Sequence, residues 1–144
     1  MSKEEALQYL KNRKIDEQQA AQIHELVGGR MVHLKISADG INGNATFEDI
    51  RKEMYSDAQT QLNSAQVLSG LCYHEEGAKI IRELLKKGSI SEDAYYSLVD
   101  RVTGGKLLET NVFVFHYDSQ EITFQSTVMK RYCAERSADW EPKA

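Results

Sequence analysis

Hydrophobic residues recur at spacings of three and four over most of this chain, the period that places them on one face of an α-helix. Strand-like sequence is confined to residues 111–124 and a short extended step at residues 89–90. In the first of these, two runs rich in β-branched and aromatic residues flank the polar segment 117–120, as in a β-hairpin. The pattern predicts a mainly α protein with one hairpin.

The first 40 residues carry signals for three short helices. Two capping boxes open the first two helices, and Gly28 with Gly29 must end the second. The boxes pair Ser2 with Glu5 and Asp16 with Gln19. Residues 30–37 predict a third helix, with Met31, Leu34 and Ile36 as its apolar residues and Asp39-Gly40 as its end. This segment is predicted to be a small helical domain.

A turn-rich linker is predicted at residues 40–46, followed by a long amphipathic helix that Thr46 and Asp49 cap. Its apolar residues continue at helical spacing to about residue 70. Such a helix often bridges two small domains. We therefore predict a lid-like domain at 1–40, a linker and bridging helix at 41–70, a third segment at 71–137, and a flexible tail at 138–144.

The segment 71–137 has the element order of a winged helix-turn-helix. Residues 75–87 predict a helix, Ser91 caps the next one, and Gly104 with Gly105 are predicted to break the chain before residues 106–109. The hairpin follows as the wing, and Ser126 caps a closing helix. The tail from residue 137, with Trp140, is predicted to fray.

Composition places the chain among ordinary soluble proteins, with 41% hydrophobic and 28% charged residues and a net charge of −4. No apolar run approaches the length of a membrane span, and the N-terminus opens with charged residues. These features predict an intracellular protein, cytoplasmic or nuclear, or a fragment without its targeting sequence. Cys72 and Cys133 are predicted to be two buried, reduced thiols.

Patterns that carry chemistry are absent from the sequence. No Gly-x4-Gly-Lys-Ser/Thr phosphate loop occurs, and the stretch Gly104-Gly105-Lys106 lacks its spacing. Cys72 and His74 offer two metal ligands where a structural zinc site needs four. We therefore predict no enzyme activity and no metal site, although a catalytic pair such as Cys133 with His116 stays open as an alternative.

Several stretches resemble the C-terminal part of archaeal-type ATPases of the STAND class of P-loop NTPases. Residues 6–10, 16–23, 26–30 and Leu34 resemble the lid that follows the nucleotide-binding core, and residues 76–85, 106–113 and 122–126 resemble the winged helix after it. The resemblance implies a non-catalytic regulatory module whose partner is a P-loop ATPase core, in cis or in trans, with other protein partners open. ATP or ADP is then bound only where such a core is present.

The resemblance also implies a nucleotide-proximal site at Gly28, Gly29 and Arg30. In that family a Gly-Gly-x-Pro turn approaches the nucleotide; here Arg30 takes the variable position, and Met31 stands where the family has proline. Two glycines let a backbone come close, and a helix N-terminus offers free N–H groups. The alternative is a helix C-cap followed by an exposed arginine.

A winged-helix DNA-binding protein is the alternative function. Residues 91–101, the expected recognition helix, carry three acidic residues against Arg101 alone, and the hairpin contains no lysine or arginine. Because neutralisation of phosphates supplies most non-specific affinity, this balance argues against nucleic acid. The counter-evidence is three basic residues on the last helix: Lys130, Arg131 and Arg136.

Overall fold

The computed structural model describes residues 2–142, and these are mainly helical with a small antiparallel sheet. The prediction of a mainly α chain with a hairpin is confirmed. In chain order the elements are α1 (Lys3–Asn12), α2 (Glu17–Val27), α3 (Met31–Asn42), α4 (Phe47–Ser64), α5 (His74–Lys87), β1 (Ile90–Ser91), α6 (Glu92–Leu98), α7 (Arg101–Leu108), β2 (Phe113–His116), β3 (Glu121–Phe124), α8 (Thr127–Glu135) and a 3₁₀ helix (Ser137–Trp140). None of the described helices combines the length and apolar character needed to cross a bilayer.

The chain divides into two compact units. The first unit contains the residues up to Ser56 together with Ser126–Val128, and the second contains Asp57–Gln125 and the residues from Met129 onward. Helix α4 therefore begins in the first unit and ends in the second.

The first unit is built on contacts among α1, α2 and α3. Its core includes fully buried side chains from all three helices: Leu10, Ile23, Val27, Leu34 and Ala38. The predicted capping box at Ser2 is present, with the Ser2 hydroxyl accepting from the Glu5 N–H at 3.2 Å. Of the box predicted at Asp16 the structure has the N-cap, in which the Asp16 carboxylate accepts from the Gln19 N–H at 2.7 Å. Apolar spacing and local capping together account for these helices.

Helix α3 is longer than predicted, because it runs through Gly40 to Asn42. A Cβ at Gly40 would lie 3.2 Å from Cγ1 of Ile50, so the glycine lets that buried side chain pack close to the helix. The turn that follows is correspondingly short. Thr46 and Asp49 then form the predicted capping box at the start of α4, with reciprocal hydrogen bonds of 3.0 and 3.1 Å.

Helix α4 ends at Ser64, about five residues before its predicted end. Gln66 has a φ of +64°, a left-handed conformation that a helix cannot continue through. The turn allows Val67 to be fully buried, and the Val67 carbonyl then accepts a hydrogen bond from Nδ1 of His74 at 2.8 Å. The apolar spacing beyond Ser64 thus reflects burial in a turn and not a continued helix.

Helix α5 is the centre of the second unit and contacts α6, α7, β1 and the 3₁₀ helix. The core around it consists of side chains that are at most 1% exposed: Ile80, Ile81, Leu84, Tyr95, Leu107, Phe113 and Ile122. The strands form a three-stranded antiparallel sheet in the order β1-β3-β2. Ile90 and Phe115 lie on either side of Ile122, so the predicted extended step and the predicted hairpin belong to one sheet.

The glycine pair at 104 and 105 does not break a helix, contrary to the prediction. The chain breaks earlier, where Val99 is extended and Asp100 caps α7, and α7 continues through both glycines to Leu108. Gly104 is buried, and its carbonyl accepts a hydrogen bond from the Tyr95 hydroxyl at 2.6 Å. Helical packing against tyrosine rings explains this glycine better than a turn does.

The Asp100 cap predicts a pH dependence of stability. Its carboxylate accepts the Thr103 N–H at 2.8 Å, and this backbone hydrogen bond lowers the pKa of Asp100. A lowered pKa in the folded state means that the contribution is present above the unfolded value of 3.8 and is lost as pH falls through the folded value. Asp100→Asn keeps a capping oxygen but does not titrate.

The difference in Tm between wild type and Asp100→Asn should therefore be constant from about pH 7 to pH 5. At about pH 3 the Tm of the wild type should fall relative to that of the variant. Thermal unfolding followed by circular dichroism measures both proteins across this range. A Tm difference that does not change with pH would show that this cap is not titrating.

The prediction of a frayed tail from residue 137 is wrong for its first part. Ser137–Trp140 is a 3₁₀ helix, and the Trp140 side chain is 1% exposed. Its indole Nε1–H donates to the Cys133 carbonyl at 3.0 Å, and the Trp140 carbonyl accepts from the Arg82 guanidinium. An aromatic side chain near a chain end gains enough from burial to order its neighbours. The remainder of the predicted tail, residues 143–144, lies outside the described residues.

Candidate functional site

The three residues of the predicted site share the turn between α2 and α3. Gly28 is the C-cap of α2, with a φ of +67°, and its N–H donates to the His24 carbonyl at 2.8 Å. Gly29 follows, and Arg30 is the extended N-cap of α3, whose side chain makes no capping hydrogen bond. Arg30 is exposed.

Gly28 has two structural roles in this turn. Its positive φ favours glycine, and a Cβ at this position would lie 2.5 Å from Oγ1 of Thr127 in the same unit. A helix C-cap packed against the first turn of α8 therefore accounts for Gly28 without a ligand. A nucleotide contact by Gly29 or Arg30 stays a prediction.

Helix α3 exposes apolar side chains directly after this turn. Met31, Val32 and Ile36 are 44%, 59% and 42% exposed, although the sequence pattern treats Met31 and Ile36 as part of the helix's apolar set. Among the apolar residues of α3, only Leu34 and Ala38 are fully buried. The turn at Arg30 is thus bordered by an exposed apolar surface.

The recognition helix predicted at residues 91–101 of the second unit is not one continuous helix. That stretch is two elements, since α6 ends at Leu98 and α7 begins at Arg101. The exposed residues of α7 include Arg101, Val102 and Lys106, and Val102 is 69% exposed. The Arg101 guanidinium lies 4.6 Å from the centroid of the Tyr96 ring, so part of its charge is directed at an aromatic face.

The hairpin turn presents an aromatic pair. The Tyr117 side chain is 86% exposed, and its ring contacts the Phe115 ring edge-on with centroids 5.0 Å apart. Nε2 of His116 lies 2.8 Å from Oγ1 of Thr123 on the neighbouring strand. No lysine or arginine lies in the hairpin.

The two cysteines differ in environment, which corrects the prediction of two buried thiols. Cys133 is fully buried, and burial raises the pKa of its thiol to about 12. Cys72 is exposed. A buried thiol with a raised pKa is not a nucleophile at neutral pH, so the geometry gives no support to a Cys133–His116 catalytic pair.

A thiol-specific reagent should therefore distinguish the two cysteines. With Ellman's reagent at about pH 8 the folded chain should release one equivalent of product rapidly, from Cys72, because only its thiol is accessible. The second equivalent should appear only in denaturant. Cys72→Ser should abolish the rapid phase, whereas Cys133→Ser should leave it unchanged; two rapid equivalents would contradict the burial of Cys133.

Among residues 2–142, no three side chains from histidine, cysteine, aspartate and glutamate are grouped so that they could hold a metal ion. Cys72 and His74, the two residues considered as ligands from the sequence, are not supplemented by others.

No protein-family model, curated protein or solved structure matches this chain.

Proposed function

We propose that the chain is a non-catalytic interaction module whose second unit is a winged helix. The observation that carries the proposal is the element order α5-β1-α6-α7-β2-β3 combined with the sheet order β1-β3-β2. In a winged helix the short strand after the first helix pairs with the second strand of the wing, and α7 takes the place of the recognition helix.

The surface chemistry of this unit favours a protein partner over nucleic acid. On and beside α7, Arg101 and Lys106 are balanced by Asp100 and Glu109, and the wing contributes no basic residue. Several phosphate contacts are needed for useful affinity to DNA, and this face offers two cations. An exposed tyrosine at the wing and an exposed valine on α7 are instead typical of the residues that protein interfaces bury.

The resemblance to STAND-class ATPases supplies the second part of the proposal, in which the first unit is lid-like and acts on a P-loop core. In that arrangement the turn at Gly28 and Gly29 faces the nucleotide and Arg30 adds a charge-assisted contact to a phosphate oxygen. ATP or ADP is the implied ligand only in the presence of the core. The chain alone carries no phosphate loop, so it is expected to hydrolyse no ATP.

A binding experiment with a P-loop core from the same source tests the proposal. The purified chain should form a stable complex with the core in size-exclusion chromatography and calorimetry. In that complex Arg30→Ala should weaken nucleotide binding or slow turnover by about tenfold, while Arg30→Lys restores part of the loss because an ammonium lacks the bidentate geometry. Failure to form a complex would refute the ATPase assignment, and equal nucleotide affinity for Arg30→Ala would leave the turn a packing element.

Duplex DNA provides the contrasting measurement for the winged helix. No binding is expected at physiological salt by fluorescence anisotropy. Micromolar affinity with a steep decrease as salt rises would instead identify a DNA-binding protein, because that salt slope reports released counterions.

A further inference from the structure

A cleft of about 270 Å³ lies within the second unit, beside the first turns of α5. Its lining includes His74, Glu75, Ala78, Lys79, Arg82 and, from the segment after the 3₁₀ helix, Glu141. The α5 positions after His74 recur at spacings of three and four, so they form one stripe along the helix. Pockets for whole organic ligands typically have a volume of about 300 Å³ or more. This smaller cleft therefore suits a single side chain.

The inner wall of the cleft holds two half-buried nitrogen groups that are fixed in place. Nδ1 of His74 lies 2.8 Å from the Val67 carbonyl, which can only accept, so Nδ1 carries the hydrogen and Nε2 is left as an acceptor. The Arg82 guanidinium donates to the Trp140 carbonyl and has further N–H groups beyond that bond. The donors of the Arg82 guanidinium are therefore oriented without a ligand present.

The rim of the cleft is exposed and carries one cation and two acids, Lys79, Glu75 and Glu141. Within residues 2–142, neither Lys79 nor Arg82 forms an ion pair with a carboxylate. The two cations of the cleft thus remain available to a ligand, although the two rim acids balance their formal charge.

We propose that this cleft binds a carboxylate side chain of a peptide ligand. Arg82 would hold the carboxylate at the inner wall, and Lys79 would contact it from the rim, through charge-assisted hydrogen bonds. A singly charged carboxylate is favoured over a phosphate monoester, because Glu75 and Glu141 at the entrance repel a dianion more strongly. The site lies on α5, away in sequence from α7 and the wing, and it does not depend on the assignment to an ATPase.

The test uses the ¹⁵N-labelled full chain and three small probes that differ in the charge of the side chain. N-acetyl-glutamate amide should shift the amide resonances of residues 74–82 in a saturable manner, with a Kd in the millimolar range, whereas N-acetyl-glutamine amide should not. N-acetyl-phosphoserine amide should bind more weakly than the glutamate probe. Equal shifts with the glutamine probe would overturn the proposal, and tighter binding of the phosphoserine probe would overturn the choice of carboxylate.

Variants of single charges locate the binding. Lys79→Ala should raise the Kd of the glutamate probe by about tenfold, the change that roughly 1.4 kcal/mol of lost binding free energy produces. Arg82→Lys keeps the charge but lacks the fork, so it should weaken binding while circular dichroism verifies the fold. Lys86→Ala removes an exposed charge from the last turn of the same helix and should change nothing.

Glu141→Gln gives an effect of the opposite sign. Removal of this rim carboxylate should tighten binding of the glutamate probe, since it removes repulsion at the entrance. Weaker binding of Glu141→Gln, or a loss in Lys86→Ala as large as that in Lys79→Ala, would show that the probe is not held by the proposed groups.

Discussion

Trp140→Ala should lower the free energy of unfolding of the second unit by about 3–5 kcal/mol, the range measured for truncation of large buried aromatic side chains. The indole is 1% exposed, and its Nε1–H donates to the Cys133 carbonyl at 3.0 Å. The variant therefore loses apolar burial, leaves a cavity and removes one of the two donors to the buried Cys133 carbonyl, which keeps the Arg136 N–H. The backbone at Trp140, which accepts from Arg82, also loses the anchor that orders it.

Urea unfolding followed by circular dichroism measures this loss. Asp139→Ala is the matched control, because the neighbouring side chain is half exposed and its ion pair with Arg136, at 3.9 Å, is long and exposed. The free energy of unfolding of Asp139→Ala should stay within about 0.5 kcal/mol of that of the wild type. Trp140 is the single tryptophan of the chain, so blue-shifted fluorescence in the folded wild type independently reports its burial. A Trp140→Ala variant as stable as the Asp139 control would refute the packing of this segment.

Gly77→Ala should lower the free energy of unfolding by about 2–3 kcal/mol, although it adds only one methyl group. Alanine in a helix interior is normally favoured over glycine by about 1 kcal/mol. At Gly77, however, a Cβ would lie 2.5 Å from Cγ1 and 2.7 Å from Cβ of the buried Val67. A contact with a Cβ atom cannot be relieved by rotation of the side chain, so α5 or the turn at Val67 must shift.

Gly105→Ala makes the same chemical change in another helix where nothing lies within 4 Å of the new Cβ. This control should stabilise the chain by roughly 0.5–1 kcal/mol, because alanine lowers the entropy of the unfolded chain without a clash. Opposite signs for the two variants in the same unfolding assay are the expected result. Stabilisation of both would show that α5 does not pack closely on Val67.

Helix starts were the best predicted part of the fold, because they are set by local chemistry. The boxes at Ser2 and Thr46 and the caps at Asp16 and Ser91 all form as the sequence indicates. A side chain three residues from a backbone N–H reaches it in any context, so tertiary structure has little influence on such a cap. The hairpin was predictable for a similar reason, since its residues pair with near neighbours in sequence.

The candidate site was predicted only as a location. The sequence indicated that Gly28, Gly29 and Arg30 form a turn between helices, and they do. The contact of Gly28 with Thr127 joins residues about a hundred positions apart, and no local signal reports it. The cleft beside α5 was not predicted either, because Glu141 and Arg82 belong to segments that only the fold of the second unit brings together.

The sequence by itself determined that this chain is helical, where most of its helices begin, and that a hairpin follows residue 110, since these depend on periodicity and on contacts within a few residues. Tertiary structure decided what its glycines do and what its tail does. Gly28 ends a helix, whereas Gly40 and Gly104 lie within helices against Ile50 and the Tyr95 ring. A glycine permits both a turn and a close approach, so only the neighbours that the fold supplies select between them. For the same reason Trp140 orders the tail: the buried surface it gains belongs to α5, more than fifty residues away in sequence.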